Sequence, residues 1–141
     1  MSASKTAQYV LFDAKDKILG RLATEIARTL SGKDAVDYQP HLGGDKIVIV
    51  INAGQVRLSA NKARKKVYWK HSGYPGGITS ITFADLIKKN PSKVIELAVK
   101  GMLPKNKLSR QALKRLKIFR NEEHPYRRYL ESNSQEKADK K

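Results

Sequence analysis

The chain contains no cysteine, which excludes a disulfide scaffold, thiolate metal sites and a cysteine nucleophile. A reducing compartment permits such a composition. Long apolar runs are also missing. The longest, Ile47 to Ile51, has the length of a strand and falls far short of a membrane span. Met1 to Gln8 carries one lysine and no apolar stretch, so no secretory signal is expected and the expected location is the cytoplasm. Acid is scarce where base is dense. Of the 29 Lys and Arg, seventeen lie between Ala53 and Arg120, a stretch whose only acids are Asp85 and Glu96. Residues 1–52 and 121–141 are close to neutral, so nearly all of the net charge of +16 sits in the middle of the chain. That segregation costs self-repulsion unless a polyanion relieves it, and nucleic acid is the commonest such partner. A basic surface kept for solubility alone would intersperse the two signs.

The 141 residues, 40% of them hydrophobic, suffice for one domain with a real core. The expected division is a short extension over 1–8, a domain over 9–120 and a polar tail over 121–141. Tyr9-Val-Leu-Phe12 reads as a buried strand. Leu19, Leu22, Ala23, Ile26, Ala27 and Leu30 share one face of a helix, with Gly32 at its C-cap position. Lys46 to Asn52 is a β-branched run of the kind covered on both faces. Strand, helix and buried strand predict a βαβ unit, hence an α/β domain with a mainly parallel sheet.

The second half reads as helical. Thr82 and Asp85 form a capping-box variant, with Ile81 and Leu86 at the staple positions. Asn90-Pro91 closes that helix and opens another, whose apolar face is Val94, Ile95, Ala98, Val99 and Met102 and which Pro104 stops. A third helix is expected from about Leu108 to Leu116, with a last short strand over Lys117 to Arg120. Ser132 to Lys141 is expected to be a poorly ordered tail.

Two basic groups stand out. At about 100° per residue, Lys107, Arg110, Lys114 and Lys117 fall within an arc of about 80°, opposite Leu108, Ala112 and Leu116. A solvated helix face would normally include Glu or Asp at i,i+4 from the lysines, and none is present. Such a stripe suits a phosphate backbone. The segment from Arg57 to Lys70 adds Lys62, Arg64, Lys65 and Lys66, no acid, and the aromatics Tyr68 and Trp69. Cations among aromatics suit RNA, although alternation through Val67-Tyr-Trp-Lys70 predicts a strand with both rings in the core. His71-Ser-Gly-Tyr-Pro-Gly-Gly77 follows as an exposed glycine-rich turn able to approach another molecule closely. It has neither the spacing of a dinucleotide fingerprint nor that of a P-loop.

Enzyme readings find little support. His41, His71 and His124 lack metal-ligand spacing. Asp13, Asp37 and Asp45 could gather at strand ends, as a metal-dependent nuclease would need, but Asp beside a strand commonly turns the chain. No nucleophile elbow is present. DNA-binding and membrane-surface readings lack a helix-turn-helix pattern and an interfacial helix.

Taken in order, several motifs resemble the universal large-subunit ribosomal protein thirteen family in its bacterial form. They are Asp13-Ala14, Leu19-Gly-Arg-Leu-Ala23, Gly32-Lys33, Tyr38, Pro40-His41, Gly44-Asp45, Asn52-Ala53, Lys66, Tyr68, the His71–Gly77 turn, Val94-Ile-Glu96, Ala98-Val-Lys-Gly-Met-Leu-Pro104, Leu116-Lys117 and Glu123-His-Pro125. Departures are Tyr9 where tryptophan is common, Ala60 and Ser109 where glycine is frequent, and Tyr126-Arg-Arg128 after the His-Pro element.

The resemblance implies a three-layer α/β/α domain with a mostly parallel sheet of about four strands. It also implies a non-catalytic protein that binds 23S-type large-subunit rRNA early in assembly. The expected partners are that rRNA and neighbouring large-subunit proteins, with the chain a monomer within the ribosome. No cofactor, metal, membrane or small-molecule substrate is expected. The candidate RNA-contacting residues are Arg57, Lys62, Arg64, Lys65, Lys66, Lys70, His71, Tyr74, Gly76, Gly77, Lys100, Lys105, Lys107, Arg110, Lys114 and Lys117. The alternative is a small metal-dependent RNA-processing enzyme using Asp13, Asp45 or His71.

Overall fold

A computed structural model describes residues 8–34, 36, 44–59, 62 and 65–131. Strand β1 (Tyr9–Asp13) leads through Ala14 into helix α1 (Leu19–Ser31), and the chain returns as β2 (Ile47–Ile51). β1 and β2 pair in parallel with Tyr9 opposite Ile47 and Asp13 opposite Ile51, so the expected βαβ unit is present. α1 buries Leu19, Leu22, Ala23, Ile26, Ala27 and Leu30, the stripe set by the 3.6-residue period. Gly32 closes it at φ 82°, a left-handed conformation that a Cβ would disfavour. Gly32 N–H donates to Thr29 O and Lys33 N–H to Arg28 O, which satisfies the last carbonyls of the helix.

A 3-10 turn (Ala53–Gln55) follows β2, and then an antiparallel hairpin of β3 (Val67–His71) and β4 (Ile78–Thr82). Thr82 caps α2 (Phe83–Lys89): its Oγ accepts from Asp85 N–H and donates to the Asp85 carboxylate at 2.8 Å. Asn90 caps α3 (Pro91–Met102) by accepting from Lys93 N–H. Val94, Ile95 and Val99 of α3 are fully buried, each contributing about 1.5–3 kcal/mol. Met102, expected on that face, is 46% exposed. It lies at the last turn, where Leu103 takes the buried place instead. Helix α4 (Lys107–Lys114) is capped by Asn106, whose Oδ1 accepts from Ser109 N–H. Strand β5 (Leu116–Ile118) then pairs in parallel with β2.

The sheet order is β1-β2-β5, three parallel strands where about four were expected, and the hairpin stands apart as a second sheet. The composition of β3 and β4 accounts for this. Lys70, His71, Thr79 and Ser80 are exposed and could not be covered on both faces, as a parallel strand requires. Val48, Val50 and Leu116 lie in one core with α1, α3 and α4, and Phe12 and Ile118 pack against it. Alternation turns Ile49 and Ile51 to the other face, where Leu11 and Ile51 share a groove with His124 and Leu130. Helices thus cover one face and the C-terminal segment the other. The expected structure of residues 1–7 and 132–141, and of Tyr38, His41 and Ala60, lies outside the described residues.

Candidate nucleic-acid interface

The basic residues fall on two separate elements. α4 packs on α1, α3 and β5, whereas the hairpin joins α2 through β4. On α4, Lys107, Arg110, Gln111 and Lys114 are exposed, while Ser109 and Ala112 are buried. The stripe therefore points away from the core as its spacing requires. Lys117 does not belong to it. The helix ends at Lys114, and Lys117 sits on β5 opposite Ile49, so helical angles no longer apply to it. Arg115, which sequence reasoning left unassigned, is structural. Its guanidinium donates to Leu30 O and to Lys46 O, both at 3.0 Å, joining the end of α1 to the start of β2. Burial holds its pKa below the ordinary value, against a smaller opposing effect of Asp45.

In the basic segment, Arg57 forms an isolated bridge with Ile18 and an ion pair of 2.8 Å with Asp16, so part of its charge is already compensated. Lys62 and Lys65 are exposed and helical, and Arg64 lies outside the described residues. Lys66 sits 5.4 Å from the centroid of the Tyr68 ring. Tyr68 packs against the core as expected, and burial pushes its hydroxyl pKa up. Trp69 does not. It is 71% exposed, because successive strand residues face opposite ways and Tyr68 takes the inward place. Lys70 and His71 are exposed on β3, and His71 Nδ1 accepts from Gly73 N–H at 2.9 Å. At the tip, Tyr74 is 75% exposed and Gly77 N–H donates to Tyr74 O, which closes the turn. Lys100 and Lys105 are exposed at the end of α3 and in the link to α4.

Among the described residues, no ion pair involves Lys62, Lys65, Lys66, Lys70, Lys100, Lys105, Lys107, Arg110, Lys114 or Lys117. Ten cations without an acidic partner are what a polyanion would neutralise. No local sequence signal separates Arg57 from this group, because Asp16 meets it only in space.

The carboxylates of the enzyme reading are not brought together. Asp13 ends β1 opposite Ile51, whereas Asp45 precedes Ile47 at the other end of β2. Six residues of strand separate those levels, about 20 Å at the usual rise. Asp13 Oδ1 accepts from Asn52 Nδ2 at 3.0 Å and from Lys15 N–H at 2.9 Å, so this carboxylate serves a turn. Asp37 is outside the described residues. Among those described, no group of three or more His, Asp or Glu is placed to hold a metal ion.

The family model for "Ribosomal protein L13" matches residues 7–125. A protein of Hahella chejuensis named large ribosomal subunit protein uL13 is 49% identical over 118 residues, covering 84% of this chain and 83% of the relative. The protein of that name from Streptomyces coelicolor is 49% identical over 121 residues, covering 86% and 82%. That of Chromohalobacter salexigens is 50% identical over 123 residues, covering 87% of each. These proteins carry the names of ribosomal components and not of enzymes. With a match over most of its length and relatives at half identity, the chain belongs to the ribosomal protein L13 family.

Proposed function

We propose that this chain is a structural, non-catalytic component of the large ribosomal subunit in the cytoplasm. In this reading it binds large-subunit rRNA as a monomer, contacts neighbouring large-subunit proteins and joins the particle early in assembly. The supporting observation is the set of exposed cations without acidic partners on α4, the hairpin and the link between α3 and α4. They are spread over several elements of the described structure and not gathered on one helix. Phosphate and shape recognition therefore dominates over the reading of paired bases.

Co-sedimentation with large subunits on a sucrose gradient tests the assignment. Binding of the purified chain to large-subunit rRNA fragments tests the mode. Affinity should fall by roughly 0.7–0.9 log units per log unit of salt for each phosphate neutralised. A slope near zero, or absence from the large-subunit peak, overturns the reading. RNA recovered intact after incubation with divalent metal is expected, since Asp13 and Asp45 lie at opposite ends of the sheet.

A further inference from the structure

The hairpin has two unlike faces. Tyr68 and its cross-strand partner Ile81 pack against the core. By alternation, Trp69, His71, Ile78 and Ser80 share the opposite face. That face is uncovered: Trp69 is 71% exposed and Ile78 60%. Large aromatic surface is normally taken out of water, so an exposed indole beside an exposed isoleucine marks a contact site. The residue across from Trp69 is Ser80, too small to cover the ring, and no ring contact or side-chain hydrogen bond to Trp69 occurs among the described residues. His71 uses Nδ1 to accept from Gly73 N–H, which leaves Nε2 to carry the proton of the neutral ring and donate on the same face.

Charge decides what this face fits. From Arg57 to Ala84 the sequence holds Lys62, Arg64, Lys65, Lys66 and Lys70 and no acid. An apolar protein surface docking here would leave these lysines uncompensated at its rim. An unpaired nucleotide meets both demands, with a π-face for the indole and a flexible sugar-phosphate backbone that can follow the hairpin's edge to the basic residues around it. We propose that the Trp69–His71–Ile78 face of the hairpin is a stacking platform for an unpaired base of RNA. This rests on the rRNA-binding reading above and adds a contact that phosphate recognition does not require.

Trp69 is the only tryptophan of the chain, so its fluorescence reports on this site alone. The full chain is titrated with short oligoadenylate and with an adenine–uracil duplex of equal length. Oligoadenylate should quench the emission and shield the indole from acrylamide, and the duplex should do so several-fold less. Trp69→Ala should lower affinity for oligoadenylate roughly 5- to 100-fold, the loss expected for one base–aromatic stack. It should leave duplex affinity unchanged, and Trp69→Phe should restore most of the binding. Circular dichroism checks that the variants fold, and the titration of the unaltered chain decides the matter without them.

Saturable binding with no change in emission or shielding overturns the platform, as does a Trp69→Ala variant with unaltered affinity. In both cases salt-dependent duplex binding persists, and the phosphate interface stands. Failure to bind either RNA at low salt overturns both readings together. A Trp69→Ala variant that binds RNA normally but is missing from assembled subunits means that a protein covers this face, which also overturns the proposal.

Discussion

The phenol ring of Tyr129 stacks on that of Tyr9, with centroids 4.9 Å apart and planes 19° apart. Tyr126 stands 6.0 Å from both Tyr9 and Phe119, and Phe119 5.9 Å from His124, so five rings run in contact from the first strand to the C-terminal segment. This joins two departures from the family pattern, Tyr9 and Tyr126, in one cluster. Tyr129→Ala should cost about 0.5–1.5 kcal/mol beyond the area it uncovers. In urea melts the midpoint should fall without a change in slope, and proteolysis should cut sooner after Asn121. An unaltered midpoint would mean that the segment does not hold the sheet face.

Arg115 predicts a larger effect at a less obvious place. Its two donors satisfy carbonyls on α1 and before β2, and both bonds are partly buried. Arg115→Met keeps much of the volume and removes both bonds, and should destabilise by about 2–4 kcal/mol, since bonds to charged groups contribute about 1.5–3 kcal/mol each. Arg115→Lys should recover only part, because an ammonium cannot reproduce the planar fork. Equal stability of the Met and Lys variants would show that packing alone matters there.

The elements that carry strong periodicity were legible. The α1 stripe, the β-branched β2, the Thr82 and Asn90 caps and the Pro91 start all occur where local pattern demands them. What depended on pairing was not. Nothing in Val67-Tyr-Trp-Lys70 says which ring faces inward, because a shift of one residue exchanges the faces. The register with β4 settles it, placing Tyr68 opposite Ile81 and leaving Trp69 outside. Lys117 failed for a related reason: a helical angle was extended past the point where pairing with Ile49 takes over. Arg115 was invisible because its partners are carbonyls 69 and 85 residues away.

The two glycines at the hairpin tip, expected to act alike, differ. Gly76 has φ 74° and open space where a Cβ would stand, so Gly76→Ala meets only the left-handed backbone penalty of about 1–2 kcal/mol. At Gly77 a Cβ would meet Ser72 Oγ and stand 3.0 Å from Tyr74 O, so Gly77→Ala displaces Ser72 and strains the turn. Both should leave the parallel sheet intact by circular dichroism. Amide exchange at Ser72, whose N–H donates to Gly77 O, should quicken more in Gly77→Ala. Equal exchange in the two variants would count against this distinction.

Asp13 supplies a test by pH. The Asn52 amide, then the Lys15 N–H and the charges of Lys17 and Lys15, hold its carboxyl below the usual carboxylate range. A carboxyl depressed in the folded state contributes stability above its unfolded pKa, near 3.8, and that stability disappears as pH falls through the folded value. The advantage of the native chain over Asp13→Asn should therefore be constant near neutrality and shrink on acidification below about pH 4. Asp13 is exposed, so the effect stays under about 1 kcal/mol. A difference that grows on acidification would contradict the sign.

The α4 stripe separates binding from folding. Lys107, Arg110 and Lys114 are exposed and make no ion pair among the described residues, while Ser109 and Ala112 hold the helix to the core. Changing all three to Glu should leave the circular dichroism spectrum and thermal midpoint close to those of the native chain. Exposed substitutions away from caps and core usually change stability by less than about 0.5 kcal/mol each. The same variant should be depleted from purified large subunits. Its residual rRNA binding should show a smaller salt slope, by roughly 0.7–0.9 for each phosphate no longer neutralised. Lys117→Glu, on β5 and outside the stripe, is the control: it should change the slope less than any one of the three. Normal incorporation of the triple variant would show that this face of α4 looks to solvent, and would leave the hairpin as the principal RNA-binding element.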